Sequence, residues 1–197
     1  GYWKRPDLTR EAFDEEGYYR IGDAGRFADP RDPTKGIVFD GRIAEDFKLS
    51  TGIWVHVGAL RVRGIAALAP LAQDIVVTGH DRAEIGFLVF ASAQGARSLC
   101  PDLPAEMSLA DTLRDPRMRK CLEAGLKKLA AEGGGSSTYA ARALLMAEPP
   151  SIDANEITDK GYINQRAVLT RRAGLVDALH AGKPGADVMS IERPPVR

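Results

Sequence analysis

The chain has 197 residues, 27 lysines and arginines against 27 aspartates and glutamates, and 44% hydrophobic residues. This apolar content suits one large or two small folded domains and excludes a disordered tail. The even charge balance argues against a general nucleic-acid-binding protein, which needs a broad basic surface. Because no apolar run has membrane-spanning length and the start lacks a signal-peptide core, we expect a soluble, cytoplasmic protein.

The cysteines and histidines predict no metal site. Cys100 and Cys121 are too few to form a disulfide framework or to complete a zinc site, which fits a reducing cytosol. None of His56, His80 and His180 has ligand spacing to another histidine or cysteine, so we interpret them as surface or hairpin residues. Because the sequence lacks an initiating methionine, we expect a fragment of a longer protein.

The first forty residues are rich in charges and turn formers. Short strand-like pieces at 18–21, 25–28 and 36–40 predict a small antiparallel sheet. From Phe47 the composition changes. The pattern predicts a strand at 46–49, a turn at 50–52 and a second strand at 53–55. A helix at 57–68 and a β-hairpin at 74–90 are predicted to follow.

The clearest helix is predicted over residues 116–131. Asp115 is the predicted N-cap, Pro116 stands in the first turn, and the glycines at 133–135 end the helix. Cys121 falls on the apolar stripe of this helix, which favours a packed thiol over a nucleophile.

The remaining pattern predicts a strand at 143–147, a polar loop at 151–162, a helix from Asn164 to about Arg172, and a Gly/Pro-rich tail. The order of elements predicts an α+β fold. We expect a mixed β-sheet with flanking helices from about Ile43, preceded by a small antiparallel β piece.

Three segments could carry chemistry, and each also has an ordinary interpretation. In the first, at 18–23, Asp23 offers two acceptor oxygens that suit a vicinal diol such as a ribose, although an aspartate after glycine is commonly a turn residue. In the second, at 40–55, Arg42 can donate to hydroxyls or phosphate and Lys48 follows six residues later; the alternative is a linker with solvated charges.

The third segment, at 155–166, places Lys160 beside Gly161 in a polar loop just before a helix. An ammonium group there can enter a neighbouring site and stabilise charge on a phosphate or carboxylate. The alternative is a solvent-exposed loop lysine.

Together the three segments resemble the C-terminal region of the acyl-adenylate-forming family, which includes acyl- and aryl-CoA ligases, luciferases and adenylation domains of peptide synthetases. The stretch from Gly1-Tyr2-Trp3 to Gly22-Asp23 looks like G-Y-x-x-x-P…T…A-F…G-x-x-R-T-G-D of that family. Gly41-Arg42 with Lys48 and Gly52 looks like its hinge motif, and 158–166 like its terminal lysine motif. Within the family, the second and third segments look most like feruloyl-CoA synthetases.

The resemblance implies a role for each motif residue. Asp23 and Arg42 would bind the ribose hydroxyls, and Lys160 would stabilise charge during adenylation. The small domain would then swing about a hinge at Arg42 and Ala44. The swing would bring Lys48 and Gly52 over the site, with Gly52 admitting the pantetheine arm and Lys48 aiding thioester formation.

The resemblance also implies substrates and domain limits. Residues 1–42 would end a large N-terminal adenylation domain, and 43–197 would form a mobile C-terminal domain. The full enzyme would use an aromatic acid similar to ferulate, ATP with Mg²⁺, and CoA, with no tightly bound cofactor and no nucleic acid. Since the phosphate-binding loop and the acid pocket of the family precede this segment, we expect the isolated chain to be inactive.

The sequence departs from the family pattern at two positions. Ala44 stands where the family usually has Asp or Lys, and Lys160 precedes Gly161 whereas the commoner motif has the lysine after the glycine. Two alternative functions remain. The enzyme could be a CoA ligase for another aromatic or fatty acid, or the chain could be a stand-alone binding module derived from the small domain.

Overall fold

The structure is a computed structural model that describes residues 1–192. The chain divides into two compact units, Gly1–Glu45 and Asp46–Arg197, here called the N-terminal unit and the C-terminal unit. This division lies three residues beyond the boundary predicted between residues 42 and 43. Over the described residues, none of the helices combines the length and the hydropathy of a membrane-spanning segment.

The N-terminal unit is built around one antiparallel β-ribbon. It contains α1 (Pro6–Glu11), β1 (Asp23–Phe27), β2 (Ile37–Arg42) and two short 3-10 helices, Pro33–Lys35 and Ile43–Glu45. β1 pairs with β2, as the pattern of the first forty residues predicts. The strand expected at 18–21 is wrong, because Tyr19 forms only an isolated bridge with Phe13.

The C-terminal unit contains a two-stranded hairpin and a four-stranded sheet with helices. Its elements are β3 (Phe47–Lys48), β4 (Trp54–Val55), α2 (Val57–Ala67), β5 (Ala72–Thr78), β6 (Gly86–Ala91), α3 (Ala93–Leu99), α4 (Leu109–Thr112), α5 (Pro116–Ala131), β7 (Arg142–Met146), α6 (Gln165–Arg171), α7 (Ala173–Leu179) and β8 (Val188–Ser190). The strand order of the large sheet is β5-β6-β7-β8, and only β6 and β7 run parallel.

The large sheet is covered on both faces, which gives the unit two apolar clusters. Ile75, Phe87 and Val89 pack in the cluster that includes residues of α2 and α5. Leu88 and Phe90 point to the opposite face and pack with residues of α6 and α7. Burial on both faces explains why the central strand β6 is a continuous apolar run rather than an alternating one. The α+β prediction is thus confirmed.

Helix α5 begins and ends at the predicted residues. The Asp115 side chain accepts a hydrogen bond from the Arg117 backbone N–H, and Pro116 follows it as the first helical residue. Cys121 is half-buried and packs against the core, and this burial raises the pKa of its thiol, which disfavours a nucleophilic role.

The expected Gly/Pro-rich tail contains two further elements. Helix α7 follows α6 directly, and strand β8 pairs antiparallel with β7, with Val188 opposite Leu144. Residues 193–197, the end of the expected tail, lie outside the described residues.

Candidate functional site

Asp23 and Arg42, the two residues expected to bind ribose, are brought together by the β-ribbon. They are directly opposite each other in the register of β1 and β2, and both are exposed. Opposite residues of an antiparallel pair share one face of the sheet, with Cβ atoms about 5 Å apart. Gly22 has φ +78°, and its carbonyl accepts from the Ile43 N–H at 2.9 Å. The Asp23 carboxylate, a hydrogen-bond acceptor, and the Arg42 guanidinium, a donor, therefore lie side by side on one exposed face of the ribbon.

Ala44, the expected hinge residue, lies in the 3-10 helix Ile43–Glu45 that ends the N-terminal unit. The C-terminal unit begins at Asp46, whose carboxylate accepts from the Val57 N–H and contacts the His56 ring nitrogen, both at 2.9 Å. Asp46 thereby connects the first residue of its unit to the start of α2.

Lys48 lies in β3 of the short hairpin and is exposed. Its Nζ atom is 5.0 Å from the centroid of the Trp54 ring in β4, a cation–π contact between cross-strand partners. The Lys48 carbonyl accepts from the Asp81 N–H at 3.1 Å, and the Ser50 N–H donates to the Arg82 carbonyl at 2.9 Å. The hairpin is therefore fastened to the loop between β5 and β6.

Gly52 makes the turn of this hairpin possible. It has φ +81°, a left-handed conformation that side chains other than that of glycine strain. Its N–H donates to the Leu49 carbonyl at 2.8 Å, and an added Cβ would meet no atom within 4 Å. The glycine is required by the backbone conformation, and the open space beside it could admit a narrow ligand arm.

Lys160 lies at the exposed tip of a small hairpin-like loop. Ile157 and Ile163 form an isolated antiparallel bridge, the Thr158 N–H donates to the Tyr162 carbonyl at 2.8 Å, and the Gly161 N–H donates to the Thr158 carbonyl at 2.9 Å. The polar loop predicted from sequence is therefore a hydrogen-bonded turn that presents its lysine outward.

The root of this loop is Glu156, whose carbonyl accepts from the Asn164 N–H. Glu156 belongs to a buried ion pair that the sequence pattern did not predict. Glu156 is fully buried, and its Oε1 accepts from Arg172 Nε at 2.8 Å. The Arg172 guanidinium, followed by the hydrogen bond from Ser151, lowers the pKa of Glu156 to about 2. A glutamate in a polar loop gives no local signal of burial, since the burial arises from packing against α6 and β7.

The two lysine-bearing segments are anchored by different contacts. The Lys48 hairpin is fastened to the β5–β6 loop, at the end where β6 begins. The root of the Lys160 loop is fastened through Arg172 to the Glu148 and Pro149 carbonyls, just beyond the end of β7. Because β6 and β7 are parallel, the end of β7 lies beside the end of β6. One unit thus carries two separate candidate sites.

His180 is a correction to the prediction of surface histidines. It is half-buried, and its Nε2 lies 2.7 Å from Thr78 Oγ1. Burial, and then the charges of Arg82 and Arg142, lower its pKa, so His180 is a packed histidine. Within residues 1–192, no group of three or more His, Cys, Asp or Glu residues has an arrangement that could hold a metal ion.

Comparison with known proteins relates the chain to enzymes that activate carboxylic acids. No family model matches it. The chain is 24% identical over 187 residues to the chloroplastic long-chain-fatty-acid–[acyl-carrier-protein] ligase AEE15 of Arabidopsis thaliana, covering 92% of this chain and 24% of that protein. It is 28% identical over 182 residues to the carboxylic acid reductase of Segniliparus rugosus, covering 92% of this chain and 14% of the reductase. The chain thus spans a quarter or less of these relatives.

Among solved structures, the A-PCP didomain of carboxylic acid reductase from Segniliparus rugosus, in complex with AMP, matches with a TM-score of 0.69 and 26% identity. The match covers 92% of this chain and 23% of the didomain. The relatives and the structural neighbour are acyl-adenylate-forming enzymes, and the chain has the fold of their C-terminal domain.

Proposed function

We propose that the chain is the C-terminal part of an ATP-dependent enzyme that converts a carboxylic acid to an acyl-adenylate and then to a thioester. The observation that carries the proposal is the structural match over 92% of the chain to an AMP-bound adenylation region. The motif residues support it, because the chain presents each of Asp23, Arg42, Lys48 and Lys160 as an exposed side chain on an ordered turn or strand.

In the first step, the acid's carboxylate oxygen forms a bond to the α-phosphorus of ATP, and the bond to pyrophosphate breaks. Asp23 accepts from the ribose hydroxyls and Arg42 donates to them, in keeping with their cross-strand placement. Lys160 offsets the negative charge on the reacting carboxylate and phosphate oxygens. Mg²⁺ arrives with ATP.

In the second step, a thiol attacks the acyl carbonyl and AMP leaves. A rotation at Arg42 and Ala44 removes Lys160 from the site and brings the Lys48–Gly52 hairpin to it. The separate anchoring of the two segments supports this exchange, because Lys48 is held by the β5–β6 loop and the Lys160 loop is held through Glu156 and Arg172. Lys48 then aids thioester formation, and the space beside Gly52 admits the thiol's arm.

The finer proposal is an aryl-acid CoA ligase of the feruloyl-CoA synthetase type, supported by the likeness of the second and third motif segments. A CoA ligase for another aromatic or fatty acid remains the nearest alternative. A second candidate for the thiol acceptor is an acyl carrier protein, since the matched proteins include an acyl-carrier-protein ligase and an A-PCP didomain.

The test is an acid-dependent pyrophosphate-release assay on the full-length enzyme that carries this chain. Ferulate, benzoate and long-chain fatty acids are supplied in turn, with CoA or a phosphopantetheinylated carrier protein as the thiol. Turnover with ferulate and CoA supports the finer proposal, and turnover with another acid or with the carrier selects an alternative. Absence of acid-dependent pyrophosphate release with every acid would contradict the proposed function.

A further inference from the structure

Glu156 and Arg172 form an ion pair that is buried inside the C-terminal unit. The Glu156 side chain is 0% exposed and that of Arg172 is 4% exposed. Arg172 donates through Nε to Oε1 at 2.8 Å and through Nη2 to Oε2 at 2.9 Å, the two-pronged geometry that gives the strongest ion pairs. Arg171 adds a contact from the rim at 3.0 Å to Oε2.

Arg172 joins three segments of the unit. Besides Glu156, it donates to the Glu148 carbonyl at 3.2 Å and to the Pro149 carbonyl at 2.9 Å, both just beyond β7. Its guanidinium lies 4.9 Å from the centre of the Phe90 ring in β6. Arg172 therefore holds together the end of α6, the segment just after β7 and the root of the Lys160 loop.

A continuous series of hydrogen bonds runs from that point towards Lys160. Glu156 Oε2 accepts from the Ser151 N–H at 2.8 Å, and the Glu156 carbonyl accepts from the Asn164 N–H at 2.9 Å. The bridge between Ile157 and Ile163 and the turn bonds of Thr158 continue from there to the tip. Fixing Glu156 thus fixes both ends of the hairpin that carries the lysine.

Stability alone gives a weak reason for such a pair, because burying two charges costs about as much as their attraction returns. We propose that Glu156 and Arg172 are positioning residues that hold the Lys160 loop in the geometry adenylation requires. This inference rests on the proposed function. Neither residue contacts the reactants in this account; both act through the backbone of the loop.

The test measures the two half-reactions separately in the full-length enzyme. Acid-dependent exchange of pyrophosphate into ATP reports adenylation, and thioester formation from a supplied acyl-adenylate reports the second step. The variants are Glu156→Gln and Arg172→Lys, with Lys160→Ala as the reference for loss of the lysine itself.

We expect Glu156→Gln and Arg172→Lys to slow adenylation by about ten- to a hundredfold, since a small misplacement of a catalytic group has effects of this size. We expect thioester formation to stay within about twofold of the unmodified enzyme, as the second step does not use Lys160.

Arg142→Lys is a matched control. Arg142 pairs with Glu84 and donates to two backbone carbonyls, those of Leu179 and Ala181, so it makes the same kinds of bond as Arg172. It lies at the start of β7, whereas the bonds of Arg172 are beyond the end of that strand. We expect Arg142→Lys to leave adenylation within about twofold of the unmodified enzyme.

The outcomes separate the inference from the proposed function. Normal adenylation by Lys160→Ala would contradict the proposed function. Slow adenylation by Lys160→Ala with normal adenylation by Glu156→Gln and Arg172→Lys would contradict only the positioning role. An equal fall in both half-reactions, or the same effect in Arg142→Lys, would also overturn it.

Amide hydrogen exchange on the chain provides a measurement that does not require activity. In Arg172→Lys, which retains the buried positive charge, we expect the Thr158 and Gly161 amides to exchange at least about tenfold faster, with β6 amides unchanged. Unchanged exchange at both loop amides would contradict the inference.

Discussion

The Glu156 carboxylate is buried, is paired with Arg172, and lies at the root of the loop that carries Lys160. The hydrogen bonds from Arg172, the largest cause, lower its pKa from the ordinary 4.5 to about 2. Because the pKa is lower in the folded protein, the carboxylate contributes stability that is fully present above about pH 4.5. This contribution is lost as the pH falls towards 2.

We therefore predict that Glu156→Gln removes part of the acid sensitivity of folding. Urea unfolding between about pH 5 and pH 3 should show a smaller loss of unfolding free energy in the variant than in the unmodified chain, although the variant starts from lower stability. Carboxylates with lowered pKa values elsewhere in the unit, such as Asp102, are common to both proteins and cancel in the comparison. Parallel pH profiles would contradict the prediction.

Gly52 allows a second test at the scale of single residues. Gly52→Ala should lower the unfolding free energy by about 1–2 kcal/mol, because the left-handed backbone strains a residue with a Cβ while no atom lies close enough to clash. Gly174, an exposed glycine in α7 with open space around it, is the control, and Gly174→Ala should be neutral or stabilising by about 1 kcal/mol. Equal effects of the two substitutions in urea unfolding would contradict this account.

Single residues also show the limit of prediction from sequence. Asp23, Arg42, Lys48 and Lys160 could be selected because each stands beside a glycine or within a motif. The partnership of Glu156 with Arg172 could not, because the two are sixteen residues apart and meet only when α6 packs on the sheet.

At the scale of elements, α2 and α5 pack closely at Gly125. A Cβ added there would clash with Leu68 Cδ2 and would lie 2.7 Å from the Ala67 carbonyl oxygen. We predict that Gly125→Ala lowers the unfolding free energy by about 1–3 kcal/mol, because overpacking outweighs the gain in helix propensity of roughly 1 kcal/mol.

The control for this prediction is Lys120→Ala on the exposed face of α5, which should change the unfolding free energy by less than about 0.5 kcal/mol. Both are measured by thermal or urea unfolding of the chain. A stabilised Gly125→Ala protein would show that the helices can separate without cost.

Elements with local signals were predictable, and those defined by tertiary pairing were not. α5 carries an N-cap, an apolar stripe and a glycine stop within its own sequence, so both ends were predicted. β8 has only three residues, and its strand conformation depends on pairing with β7. The strand expected at 18–21 was predicted from its apolar and aromatic residues. The strand that pairs with β2 is instead β1, which begins at Asp23.

At the scale of the whole molecule, the chain spans 24% and 14% of the two curated relatives described above. We therefore predict that this polypeptide alone gives no pyrophosphate release with ferulate, ATP and CoA. Turnover by the chain alone, at a rate that scales with its concentration and survives repurification, would contradict the prediction.

In the proposed function, this chain supplies Lys160 to the adenylation step and the Lys48 hairpin to thioester formation. Measuring both half-reactions of the full-length enzyme with Lys160→Ala and Lys48→Ala tests this division of roles. We expect Lys160→Ala to lose at least about a hundredfold in pyrophosphate exchange while keeping thioester formation from a supplied adenylate. We expect the reverse pattern for Lys48→Ala. Unchanged pyrophosphate exchange in Lys160→Ala, or the same loss in both half-reactions for both variants, would show that the two lysines do not divide the steps in this way.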